Sequence, residues 1–235
     1  MNSQVTSLQV WRAFAGFLAR PALPRRAAGI DGAAIRRTLA LYGLDLVLMV
    51  PLILVALGVE AMGIHMPENA LDSVEIDAMW IAVIVLGAPL SEEVLFRGWL
   101  SGRPGHVAAV AMLALGFMGA AFAAGQGSQG GVLAAGFGAL ALAALAIWRG
   151  RRSEPFRFYS HSFRWFFYAS ALAFAAIHLL NYQGEASALL VVPQFVAGLI
   201  FGYARVTNGL WSSITLHALH NATFLTLAAI GGQLG

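Results

Sequence analysis

The chain is 235 residues long, 59% hydrophobic and 11% charged, with a mean hydropathy of +0.74, whereas soluble domains carry charge on about a quarter of their residues. Its net charge of +3 comes from 14 basic residues, all arginines, in a sequence without a nucleic-acid-binding motif, so the basic balance points to a membrane surface and excludes a nucleic-acid partner. Cysteine is absent, which excludes disulfides and thiolate chemistry.

Residues 1–38 read as a basic cytoplasmic segment. Val10, Phe14, Phe17 and Leu18 recur at helical spacing with Arg12 and Arg20 beside them, the pattern of an interfacial helix lying on the inner leaflet. A cleaved signal peptide fits poorly, because no basic residue precedes the apolar part and Arg12 interrupts it. The prolines, arginines and glycines of Pro21 to Gly32 form a turn-rich linker.

Residues 39–235 are expected to form an integral-membrane domain, an all-α polytopic bundle of about seven transmembrane helices. Segments near the length of roughly 20 apolar residues that a bilayer core demands run from about Leu41 to Ile64, Ala78 to Leu100, His106 to Ala124, Val132 to Trp148, Phe166 to Tyr182, Ala188 to Tyr203 and Leu210 to Gly231. The arginines fall on alternate connections. Six precede the first span, Arg103 follows the second, Arg149, Arg151, Arg152, Arg157 and Arg164 surround the fourth-to-fifth connection, and Arg205 follows the sixth. The intervening connections, 65–77, 125–131 and 183–185, are acidic or neutral. The positive-inside rule therefore puts the N-terminus in the cytoplasm and the C-terminus outside, in a multi-pass protein expected in the bacterial inner (cell) membrane.

Polar groups inside the spans are few, and ionisable groups at that depth are expensive and mark function. Asp45 reads as an interfacial or packing residue, and Gln194 and Asn181 as helix-to-helix hydrogen-bonding groups. Glu92, Glu93 and Arg97 lie in the second span, His178 in the fifth, and His217, His220 and Asn221 in the seventh. At a rise of about 1.5 Å per residue, Glu92 lies roughly 14 Å, His217 roughly 11 Å and His178 roughly 15 Å from their cytoplasmic helix ends. One layer of the membrane can hold all three.

Adjacent helical residues point about 100° apart, so Glu92 and Glu93 cannot both face one point. Glu93 precedes Arg97 by four, the favourable orientation for an intrahelical ion pair. That leaves Glu92 to face a cavity as a general base. His217 and Asn221, also four apart, share a face on which an imidazole and an amide can hold a water or stabilise an oxyanion. His220 stays open between spare ligand, partner of a ligand and exposed-face residue, the last favoured.

Together these segments resemble the CAAX-protease and bacteriocin-processing (CPBP, or Abi) family of intramembrane peptidases, related to the type II CAAX prenyl endopeptidases. Glu92, Glu93 and Arg97 match its EExxxR motif, including the Phe96-Arg97-Gly98 ending. Phe174 and His178 match FxxxH, His217 and Asn221 match HxxxN, and Phe195 to Gly202 resembles the glycine-containing helix between them. The resemblance covers about 78–223. Singly these motifs are weak; in order on separate spans they are specific.

The resemblance implies hydrolysis of a peptide bond in membrane-associated, CAAX-like or membrane-peptide substrates. Glu92 would activate water with Glu93 as an alternative base, His178 and His217 would position the water or ligate a metal, Asn221 would help the oxyanion, and Arg97 and Phe174 would give structural support. Glu92, His178 and His217 also satisfy the three-ligand pattern of a catalytic divalent metal such as zinc, while a glutamate-histidine pair without metal is equally compatible. Two other classes stay open: a non-proteolytic intramembrane adaptor or bacteriocin self-immunity protein of the same fold, and a haem- or proton-handling protein using His178 and His217.

Overall fold

The computed structural model describes residues 6–63, 67, 74–182 and 191–231, whose regular structure is helical, with no extended strand among them. Thr6 opens α1 (Ser7–Ala19) with a capping box: its hydroxyl accepts from the Gln9 amide while the Gln9 side chain accepts from the Thr6 amide. Asp31 caps α2 (Gly32–Ala61), accepting from the Ala34 amide at 2.6 Å. The apolar stripe of α1 is laid on protein. Val10 and Phe14 are buried, the Phe17 ring meets Phe163, Phe167 and Tyr203, and Trp11 donates to the Ala40 carbonyl of α2 at 2.7 Å. The periodicity expected of a helix resting on lipid is thus satisfied by the bundle itself.

The segment carrying the acidic doublet is continuous but irregular. It begins with α3 (Ala78–Ala82), widens into a π turn at Val83–Gly87, resumes as α4 (Ala88–Arg97) and tightens into a 3₁₀ turn at Gly98–Ser101. Pro89 accounts for the widening, because it has no N–H to return to Val85. Ser91 donates its hydroxyl to the Gly87 and Ala88 carbonyls at 2.9 and 3.0 Å. Gly102 ends the run at φ +63, and a Cβ there would lie 2.5 Å from the Tyr159 ring, so a glycine is required twice over.

Next come α5 (Pro104–Gly125) and α6 (Gln129–Gly150), a hairpin whose helices touch backbone to backbone where Gly105 meets Gly150. It buries little except Gly105, Ala109, Ala139 and Ala143 and turns Phe117, Phe122, Phe137 and Trp148 outward, as lipid-facing helices do. Short α7 (Arg157–His161) leads to α8 (Phe163–Ile177), a 3₁₀ turn at His178–Asn181, α9 (Val192–Thr207) and α10 (Leu210–Ile230).

Among the described residues five helical runs are long and apolar enough to cross a membrane: Gly32–Ala61, Ala78–Ser101, Pro104–Gly125, Gln129–Gly150 and Phe163–Asn181. The other two expected spans differ from these for physical reasons. α9 has 16 described residues, the expected start at Ala188 lying outside the described residues, and α10 is diluted by its serines, threonines, histidines and asparagine. Both line the interior. Ile200, Phe201 and Leu216 are fully enclosed with Leu41 of α2, and Phe174 of α8 packs with them. Of the expected acidic or neutral connections, 183–185 and most of 65–77 lie outside the described residues.

Candidate active site

Glu93 is the hub. Its Oε1 accepts from Arg97 Nη1 at 2.6 Å, one helical turn on, and the sequence spacing predicts that pairing. The same oxygen accepts from His217 Nδ1 at 3.0 Å, and Ser213, one turn before His217 on α10, donates its hydroxyl to Oε2. Glu93 and Arg97 are both fully buried, and a charge removed from water needs this density of partners. The Arg97 guanidinium lies 3.8 Å over the Phe174 ring, so Phe174 does more than fill space: it covers the cation's face.

Glu92, one residue earlier, points elsewhere. Its Oε2 lies 3.9 Å from His178 Nε2 and 4.0 Å from His217 Nε2, and this buried oxygen has no hydrogen-bond partner among protein atoms. His178, the first residue of its 3₁₀ turn, hydrogen-bonds through Nδ1 to the Phe174 carbonyl at 2.7 Å. With the Nδ1–H of each ring spent on an oxygen, each neutral imidazole keeps its Nε2 lone pair. Lone-pair-bearing nitrogens from the 3₁₀ turn after α8 and from α10 therefore both stand within 4.0 Å of the Glu92 oxygen on α4.

A cavity of about 150 Å³ borders the imidazoles, with Phe174, His178, Gln194, His217, His220 and Asn221 in its wall. Asn221 is brought beside His217 as the four-residue spacing requires, and one of its amide hydrogens is committed to the Ile84 carbonyl in the π turn at 2.8 Å. Its second amide hydrogen is the group left for an oxyanion. Gln194 departs from the expected helix-to-helix role: its Oε1 is buried at the cavity without a hydrogen-bond partner.

His220 is not an exposed-face residue. Its Nδ1 lies 2.7 Å from Oδ2 of Asp45, which is fully buried on α2, and its ring stands 4.5 Å from that of Phe224. Asp45 and His220 carried a signal in the sequence, since two ionisable groups in apolar spans, each without an assigned partner, are candidates for one another. Ser213 was legible too, being four residues before His217. Nothing in the spacing pointed Gln194 at the cavity.

The donor set of Glu92, His178 and His217 is of the kind zinc takes, but its spacing is not. Tetrahedral ligands at about 2.0–2.1 Å lie roughly 3.3 Å apart, less than the 3.9 and 4.0 Å between Glu92 Oε2 and the two Nε2 atoms. Among the described residues no three His, Cys, Asp or Glu side chains lie as a metal set.

A family model described as type II CAAX prenyl endopeptidase Rce1-like matches residues 75–155 and 147–223. No curated protein and no solved structure matches the chain.

Proposed function

Because the chain belongs to the Rce1-like family of type II CAAX prenyl endopeptidases, we propose that it hydrolyses a peptide bond in membrane-associated, CAAX-like substrates, with Glu92 as the general base. The observation that carries this reading is the convergence of Glu92 Oε2 with the Nε2 atoms of His178 and His217 at 3.9 and 4.0 Å. Three acceptors around one point receive a hydrogen-bond donor, and a water is the donor that a hydrolase needs there. Glu92 takes its proton as the oxygen adds to the scissile carbonyl carbon. The free N–H of Asn221 stabilises the oxyanion. On collapse of the tetrahedral species, the C–N bond breaks and the proton held by Glu92 passes to the leaving amine, which regenerates the carboxylate.

Glu93 serves by holding His217 through Nδ1 and by neutralising Arg97, and it is too enclosed to reach water. No step is routed through a metal. The test is the full-length protein in lipid nanodiscs given a prenylated CAAX peptide, with release of the residues beyond the prenylated cysteine followed by mass spectrometry. Cleavage by the parent and its loss in Glu92→Gln is the expected result. Undiminished cleavage by Glu92→Gln overturns the assignment, and a physiological role that survives this substitution favours the adaptor reading.

A further inference from the structure

A second cavity, of about 190 Å³, shares no lining residue with the one beside the imidazoles. Three stretches distant in sequence enclose it: the linker before α2 with Arg25 and Arg26, the start of α5 with Arg103 and His106, and Arg205 of α9. No aspartate or glutamate lines it, and none of these four arginines takes part in an ion pair among the described residues. We propose that this cavity is a binding site for a phosphate-class anion, either the headgroup phosphate of an anionic phospholipid or a free phosphate.

Arg205 is the central observation. It is 8% exposed, and its Nε and Nη2 donate to the Arg97 and Gly98 carbonyls at 2.9 and 3.1 Å. These neutral acceptors fix the guanidinium plane and leave its charge without an ion-pair partner among the described residues. A buried cation without a counter-charge is unfavourable unless something supplies one. Here its neighbours at the cavity are more cations. Four arginines lining one space match an anion with several oxygens, because the planar fork of arginine recognises phosphate with paired hydrogen bonds.

The arrangement is built in advance of any ligand. The linker bearing Arg25 and Arg26 is pinned to the turn after α9, Ala28 N–H donating to the Thr207 carbonyl at 2.8 Å and Gly29 N–H to that of Asn208 at 3.1 Å. Ser101 Oγ and His106 Nδ1 lie 2.8 Å apart at the rim. The N-terminal end of α5, a 22-residue helix, adds the positive end of its dipole. The volume is several times the roughly 30 Å³ share of one water, which leaves room for a phosphate group and its hydration. These residues belong to the connections that the arginine distribution assigns to one membrane face, where basic pockets between spans meet lipid headgroups.

The experiment uses the full chain, purified in a neutral detergent and depleted of lipid. Its thermal unfolding is followed with added phosphatidylglycerol, with phosphatidylcholine, and with inorganic phosphate against chloride at equal ionic strength. The expected result is a saturable stabilisation by phosphatidylglycerol, by inorganic phosphate or by both, with half-saturation at least tenfold weaker in the Arg26→Gln/Arg103→Gln double variant and unchanged in Arg164→Gln, whose arginine lies outside the cavity. Stabilisation by phosphatidylglycerol alone identifies a lipid headgroup; an equal effect of inorganic phosphate identifies a free phosphate. Stabilisation by neither, or stabilisation unaltered in the double variant, overturns the site. Arg205 is left intact because its bonds to α4 hold the fold.

Discussion

The carboxylate of Asp45 and the imidazole of His220 meet at 2.7 Å across 175 residues, joining α2 to α10 at the wall of the cavity that His178 and His217 also line. Asp45 is fully buried, and its second oxygen has no hydrogen-bond partner. The two halves of such a pair respond unequally to removal. Taking away the imidazole strands a fully buried carboxylate in an apolar bundle, a loss of about 3–5 kcal/mol, whereas taking away the acid leaves only a part-exposed imidazole without its partner, a smaller loss. His220→Leu is therefore expected to unfold at a clearly lower temperature in detergent than Asp45→Leu, and equal losses would show that charge does not hold the pair.

Glu92 and Glu93 should separate activity from stability. Glu92 makes no hydrogen bond through its buried oxygen and approaches its histidines no closer than 3.9 Å, so Glu92→Gln is expected to melt within about 1 kcal/mol of the parent, the scale of one ordinary hydrogen bond. Its peptide cleavage should fall by at least ~10²-fold, the contribution of a general base. Glu93→Gln removes the counter-charge of a fully buried arginine and the acceptor of His217, so both the melting temperature and the cleavage rate should fall. Paired unfolding and cleavage assays on the two variants decide it, and a stable, inactive Glu93→Gln would exchange the roles.

The bundle was legible in the sequence because lipid allows so few solutions. Long apolar segments specify helices, and the motif spacings on α4 and α10 specify which groups share a face. The Glu93–Arg97 pair followed from the four-residue rule alone. Less legible was whatever depends on contacts between helices. Spacing along α4 cannot reveal that Glu93 reaches His217 and Ser213, because that depends on how α10 crosses it. The π turn is local in cause, through Pro89, yet its consequence is tertiary, since the Ile84 carbonyl in it takes an amide hydrogen of Asn221. The stripe of α1 shows why periodicity underdetermines environment: the same Val10, Phe14 and Phe17 face suits lipid or protein, and here it meets protein.

Removing metal should leave the reaction intact. Glu92 Oε2 stands farther from the two histidine Nε2 atoms than the roughly 3.3 Å between ligands of one tetrahedral zinc, and the bonds of His178 to Phe174 and of His217 to Glu93 anchor the imidazoles. Cleavage after exhaustive treatment with 1,10-phenanthroline is expected within twofold of the untreated protein, with less than one equivalent of zinc by elemental analysis. Inactivation by the chelator that added zinc reverses would place a metal between these side chains.

Gly198 tests whether the stack behind the site must be held rigid. A Cβ there would lie 3.2 Å from both Arg97 Nη2 and Phe174 Cδ1 and 3.4 Å from Ala171 Cα, so something must yield by a few tenths of an ångström. Neither side chain can yield freely, because Arg97 is pinned to Glu93 and Phe174 lies beneath its guanidinium. Displacing Arg97 moves Glu93, and through it His217, whereas the fold as a whole loses only a small packing gain. Gly198→Ala is accordingly expected to cut cleavage several-fold with a melting temperature near the parent's, and Gly198→Val to lose about 1–3 kcal/mol through overpacking. Gly119→Ala in α5 is the matched control, since its new methyl would meet Ala135 at an ordinary 3.5 Å. Full activity in Gly198→Ala would mean that cleavage tolerates movement of the ion pair that supports His217.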